Sequence, residues 1–189
     1  MAAPRLLVKT DLSSVRPLML DGRPVQLHYE RLAGLLRARA QPAVVALFAE
    51  PIVGAGAITW YGEAPGEPQP LPSLPSGRRG EAEAKLRGAL AALEPLLDDP
   101  DLGPLLRRAL VLPGPESILA LDDTVVLTGW GLAPEEIASD PVALAGQVRR
   151  VLGPYAPFLA SVPDDFLADQ PGAMRRPVPP PPAPPPAAA

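Results

Sequence analysis

Twice along the chain a helical stretch leads into two short apolar runs able to pair as a hairpin, and each time a tryptophan stands near a glycine. The first copy ends Ile58-Thr59-Trp60-Tyr61-Gly62 and the second Leu127-Thr128-Gly129-Trp130-Gly131, and together they hold both tryptophans of the protein. Apolar runs of four to eight residues rich in β-branched side chains favour strands, whereas longer runs of period 3.6 favour helices. Their alternation here predicts an α+β domain: an antiparallel or mixed sheet of about four to five strands from two hairpins, with helices packed on one face.

The rest of the chain sets the limits of that domain. Of 189 residues, the last stretch from Pro177 is almost entirely proline and alanine, which leaves about 170 for folding. Residues 1–170 therefore read as a single domain, with 171–189 as a linker or tail. Proline fixes φ and removes a donor, so the tail is predicted to be disordered and to favour an extended polyproline II spacer; the other reading is a ligand for a proline-binding module. The net charge is -4, the arginines are scattered and Lys9 and Lys85 are the only lysines, a pattern that argues against nucleic-acid binding. There is no cysteine, hence no disulfide framework, no thiolate nucleophile and no zinc–thiolate site, a composition compatible with a reducing cytoplasm. Lys9 and Asp11 interrupt the first apolar run, which argues against a cleaved export signal, and no apolar run reaches the length of a spanning helix.

Along the chain, residues 5–8 read as a first strand, and Asp21-Gly22 as a turn. A helix beginning near Pro24 carries Leu32, Leu35 and Leu36 at helical spacing and ends at Pro42. Residues 43–48 and 57–61 read as an antiparallel pair, and 62–80 as an irregular surface loop. A helix opening at Glu81 lines up Leu86, Leu90, Leu93 and Leu97, with a break or kink at Pro95, and residues 105–110 make a further short helix. The second hairpin is residues 117–121 and 124–128 around Asp122-Asp123. The last helix spans 141–152, capped by Asp140 and burying Val142, Leu144 or Ala145, Val148 and Val151-Leu152.

The inventory of reactive side chains is thin. With His28 as the only histidine and no cysteine, neither a multi-histidine metal site nor a Cys-His pair can be assembled. His28 reads as a boundary residue. The acidic groups Asp98-Asp99 with Asp101, Asp122-Asp123 and Asp164-Asp165 sit where turns and helix ends ordinarily place aspartate, so no metal and no cofactor is predicted. Gly54-Ala55-Gly56 opens no helix and lacks the third glycine of a dinucleotide fingerprint, and Gly77-Arg78-Arg79-Gly80 reads as an exposed basic turn before a helix. No catalytic residues are assigned and the chain is not expected to be an enzyme; a hydrolase using two carboxylates would require a deep cleft that no motif signals.

That leaves the aromatics. Trp60, Tyr61 and Trp130 are the candidate partner-binding residues, because buried aromatic anchors dominate many interfaces; the competing role is packing between sheet and helices. Gly129 and Gly131 allow a bulge or close backbone approach around the Trp130 ring. The order of the Leu6-Leu7-Val8 strand, the Asp21-Gly22-Arg23-Pro24-Val25 turn into a helix, the Trp60-Tyr61 strand end, a leucine-rich helix and the Thr124-Val125-Val126-Leu127-Thr128-Gly129-Trp130-Gly131 strand resembles the N-terminal region of the SrfA-type virulence-factor family of Gram-negative bacteria, over roughly residues 5 to 132. The chain departs from the family in its proline richness and where Gly56-Ala57 replaces a more polar turn. The resemblance implies a cytoplasmic domain joined by a linker to a membrane-associated portion not present in this chain, with no catalytic residues to carry over. The expectation is thus a cytoplasmic, non-catalytic protein–protein interaction module of a larger envelope- or secretion-associated protein, binding another protein and neither nucleic acid nor, by insertion, membrane. Binding would use the aromatics or strand addition at an open sheet edge. The alternative is a small-molecule-sensing domain lined by the same aromatics.

Overall fold

A computed structural model of the chain describes residues 3–168, so the predicted proline-rich tail lies outside the described residues. The architecture is α+β, with its strands shared among small antiparallel sheets. Strand β1 (Arg5–Asp11) is followed by β2 (Val15–Pro17), β3 (Met19–Leu20) and β4 (Arg23–Pro24). The β3–β4 turn is Asp21-Gly22, with φ of 52° and 74°. Two positive φ values make a primed turn, whose twist suits a tight hairpin and which Asp-Gly favours. A 3-10 turn over Val25–His28 leads into helix α1 (Tyr29–Arg39), which buries Leu32, Ala33 and Leu36 and leaves Leu35 half-buried.

The next segment differs from the sequence reading. Residues 42–45 are not strand but the short helix α2 (Pro42–Val45), closed by the Ala46 amide donating to the Pro42 carbonyl at 3.0 Å. Proline at the first helical position is preset for that turn and loses no bond there. Of the predicted strand only Phe48 keeps a β partner, a parallel bridge to Leu127. The hairpin moves downstream: β5 (Glu50–Val53) pairs with β6 (Ala57–Gly62) around Gly54-Ala55-Gly56. Pro51 is tolerated because β5 lies at the edge of the sheet, which is ordered β1-β6-β5.

The predicted loop over 62–80 is also more ordered than read. Strand β7 (Gln69–Pro70) pairs with β8, which spans Ile118–Ala120, and Leu71 and Leu74 are buried. Helix α3 (Ser76–Leu93) starts five residues before Glu81, so Gly77-Arg78-Arg79-Gly80 lies within its first turns and is no free basic turn. Arg79 reaches back to donate to the carbonyls of Pro72 at 2.7 Å and Leu74 at 2.9 Å. Ala82, Leu86, Leu90 and Leu93 form its buried stripe. The helix stops before Pro95 and continues as a 3-10 turn over Glu94–Asp98 with Leu97 buried, the break that an interior proline imposes. Helix α4 (Gly103–Ala109) follows.

The second hairpin forms as read: β8 pairs with β9 (Val125–Leu127) and the Leu121 amide donates to the Thr124 carbonyl at 2.9 Å, leaving Asp122-Asp123 as the loop. Strand β10 (Leu132–Pro134) pairs with β2. Helix α5 (Pro141–Val151) is capped by Asp140, which accepts from the amides of Val142 at 3.0 Å and Ala143 at 3.2 Å. Leu144, Ala145, Val148, Val151 and Leu152 are buried, whereas Val142 lies outside the apolar stripe and is 54% exposed. A short helix, α6 (Pro157–Ala160), is the last regular element among the described residues.

In the first acidic group, Asp99 has a structural role. Asp99 accepts from the amides of Leu102 at 2.8 Å and Asp101 at 2.9 Å and pairs with Arg39 at 2.6 Å. The Leu102 amide, then that of Asp101 and the Arg39 guanidinium, hold its carboxyl below the ordinary carboxylate value. A depressed folded-state pKa stabilises the fold above the unfolded pKa, and that contribution disappears as pH falls through the folded value. Asp99→Asn is therefore expected to be less stable than the parent at pH 7, with the gap closing toward pH 3, as read by urea unfolding at both.

Candidate functional site

One cleft, of about 550 Å³, brings together the side chains most suited to holding a ligand. Its walls come from the two ends of α1 (Tyr29, Arg37), from α2 (Pro42, Val45), from the link into β5 (Phe48, Glu50) and from the end of β6 (Tyr61, Glu63). The lining is largely apolar, with one guanidinium and two carboxylates at hand, the composition of a site for an organic group or a peptide. The Tyr29 hydroxyl titrates above the ordinary tyrosine value, chiefly because it is half-buried and secondarily because Glu50 lies near, with Arg37 opposing.

Behind the cleft stands an aromatic cluster. The Trp130 ring lies 6.2 Å from Tyr29, 6.1 Å from Phe48 edge to face, and 5.6 Å from Trp60. Both indoles have zero exposure, and each spends its N–H inside: Trp130 on the Ala49 carbonyl at 2.8 Å and Trp60 on Thr10 Oγ1 at 3.0 Å. Trp60 and Trp130 are thus packing residues in this structure, out of reach of a partner, because a polar N–H satisfied within the core removes any reason to present the ring to solvent. Of the three candidates only Tyr61 lines the cleft. Gly129 and Gly131, with φ of 62° and 72°, carry the chain around the Trp130 ring, and the Gln26 amide nitrogen donates to the Trp130 carbonyl at 2.9 Å.

Tyr61 belongs to the outer face of the β1-β6-β5 sheet, where it sits opposite Leu6 on one side and Glu50 on the other. Leu6 is 57% exposed and Ile52, opposite Thr59, is 56% exposed, so the face continues the cleft as a partly apolar surface. The free edge of β1 carries Arg5, Lys9 and a register shift between Leu6 and Val8. Charge and bulges on an edge strand discourage further pairing.

The remaining candidates form no reactive constellation. His28 is half-buried and its Nε2 lies 3.0 Å from the Leu20 carbonyl. Among the described residues no three His, Cys, Asp or Glu side chains gather as metal ligands, and no helix is long and apolar enough to cross a membrane. Tyr29, Phe48 and Glu50 were missed by the sequence reading, which placed Phe48 in a strand and Glu50 in a connection; their positions in sequence hold no signal that folding brings them beside Tyr61. No protein-family model, curated protein or solved structure matches this chain.

Proposed function

We propose that this chain is a non-catalytic protein-interaction module whose binding site is the Tyr29–Tyr61 cleft, with the outer face of the β1-β6-β5 sheet as its margin. The observation that carries the reading is the cleft itself: Tyr29 and Tyr61 held half-exposed, with Pro42 exposed beside them, over a core of buried Phe48 and two buried indoles. Aromatic side chains prepositioned in this way lose little conformational freedom on binding and serve as anchors. From the order of the short motifs alone, the reading extends to the cytoplasmic part of a larger envelope- or secretion-associated protein.

The test is affinity for a partner recovered with the full chain and then purified. Tyr61→Ala is expected to weaken binding at least tenfold, read by calorimetry, because loss of an interface anchor commonly costs about 2 kcal/mol. Unchanged affinity, with the far-ultraviolet spectrum of the variant intact, would remove the cleft from the interface. The cleft volume also lies in the range of small-molecule sites, about 300–1,000 Å³, which favours a sensing domain as the second reading. A metabolite that raises the unfolding midpoint of the parent and fails to do so for Tyr61→Ala would establish it.

A further inference from the structure

Charge is unevenly placed around the cleft. Its two half-buried tyrosine rings, Tyr29 and Tyr61, stand with two carboxylates, Glu50 and Glu63, against one cation, Arg37. Glu50 lies directly across the β5–β6 pairing from Tyr61, so the two side chains leave the sheet on the same face, with Cβ atoms ~4.5–5.5 Å apart. Glu63 follows Tyr61 by two residues, just past the end of β6. Tyr29, the first residue of α1, lines the same cleft. Among the described residues no ion pair engages Glu50 or Glu63.

The cation is set apart from this end. Arg37 is exposed and stands eight residues after Tyr29, about 12 Å along the α1 axis. Arg5, opposite Gly62 across the β1–β6 pairing, is not among the lining residues. After burial, the influence that acts most on the Tyr29 hydroxyl is Glu50, ahead of Arg37, and Glu30 and Glu63 act in the same sense as Glu50. The aromatic end of the cleft is therefore its negative end. Aromatic faces attract cations, and a carboxylate beside them adds charge-assisted hydrogen bonds. A guanidinium uses both at once, because it is planar, stacks on rings and is weakly hydrated. A purely apolar group would cover the rings and leave the carboxylates partly desolvated without a partner, and an acidic group would be repelled.

We propose that the Tyr29–Tyr61 cleft recognises a basic side chain presented by a segment of the partner protein, its alkyl part lying against the tyrosine rings and its charged head meeting Glu50 and Glu63. The inference rests on the reading of the cleft as a binding site and names the chemistry of what enters it.

The probes are three capped tripeptides, acetyl-Gly-X-Gly-amide with arginine, leucine or glutamate at the centre, each titrated into the full chain at pH 7 and low salt and followed by backbone amide shifts. The arginine peptide is expected to move the signals of Tyr29, Glu50, Tyr61 and Glu63 and to bind about fivefold or more tighter than the leucine peptide, with glutamate weakest. Glu50→Gln combined with Glu63→Gln should remove most of that preference, whereas Arg37→Gln should tighten the arginine peptide about twofold. Mere loss of packing does not produce effects of opposite sign from substitutions at one cleft, and the amide spectra themselves report whether each variant is folded. Equal affinity for leucine and arginine, or a preference for glutamate, overturns the inference while the cleft stands as a binding site. Shifts of the same size at the Asp122-Asp123 loop overturn it too, since they reflect general attraction to a chain of net charge -4. If no peptide moves the cleft signals, the inference fails and the reading of the cleft as a site for peptides fails with it.

Discussion

Trp130→Ala is expected to cost about 4–8 kcal/mol of folding free energy, combining the ~3–5 kcal/mol of a large cavity with the ~1–3 kcal/mol of an acceptor left unbonded. The ring is fully buried, touches Tyr29, Phe48 and Trp60, and its N–H satisfies the Ala49 carbonyl. That carbonyl belongs to the segment that runs beside β9: the Ala49 amide donates to Leu127 at 3.1 Å, and the Leu127 amide to Leu47 at 2.6 Å. The substitution therefore loosens the floor of the cleft and the junction between two sheets at once. With domain stabilities commonly about 5–15 kcal/mol, the loss takes a large share of the total. In urea, at a slope of about 2 kcal/mol/M, the midpoint should fall by about 2 M or more. A fall of less than about 0.5 M would show that the indole is not the keystone of this packing. For the same reason the variant is a poor probe of binding, and Tyr61→Ala is the proper one.

The second large effect is expected at a residue with no side chain. Gly131 has φ of 72°, and a Cβ placed there would stand 2.2 Å from Val25 Cγ1 and 2.9 Å from the Gln26 side-chain nitrogen. Its own backbone is committed on both sides, the amide donating to the Val111 carbonyl at 2.8 Å and the carbonyl accepting from Leu18 at 2.8 Å. Neither the turn nor its neighbour can move without breaking one of these bonds. Gly131→Ala combines a left-handed backbone cost of ~1–2 kcal/mol with overpacking of ~1–3 kcal/mol, a loss of about 2–5 kcal/mol. Gly88 is the contrasting case, within α3 with open space where a Cβ would go. Gly88→Ala should raise stability by about 0.5–1 kcal/mol through helix propensity. Equal effects from the two substitutions, measured by thermal unfolding, would contradict the geometry at Gly131.

What the chain disclosed before folding was the set of features governed by near neighbours. Asp140 capping α5, Asp21-Gly22 turning β3 into β4, Pro95 ending α3 and the β8–β9 hairpin all follow from interactions a few residues long. Features set by distant contacts were hidden. Val44-Val45 favour strand by type, yet Pro42 and the burial of Val44 make that turn helical. Glycines at 77 and 80 weaken the local helix signal, while Arg79 bonding back to Pro72 and Leu74 secures the first turns. The strands scatter among several small sheets because pairings such as β10 with β2 and β7 with β8 join segments far apart in sequence. The cleft was illegible for the same reason, since Tyr29, Phe48 and Tyr61 belong to three separate elements. The tryptophans were legible as important, but their burial, which decides between core and contact, depends on what the rest of the chain lays over them.

The two indoles, 5.6 Å apart and without solvent, give the protein a built-in optical reporter. Rings this close couple their excited states, so the native chain should show a paired positive and negative band in the far-ultraviolet dichroism that either single tryptophan variant abolishes. Tyr29, 6.2 Å from Trp130, lies close enough to hand its excitation to that ring, so an event at the cleft mouth should register as altered tyrosine-to-tryptophan transfer without any attached dye.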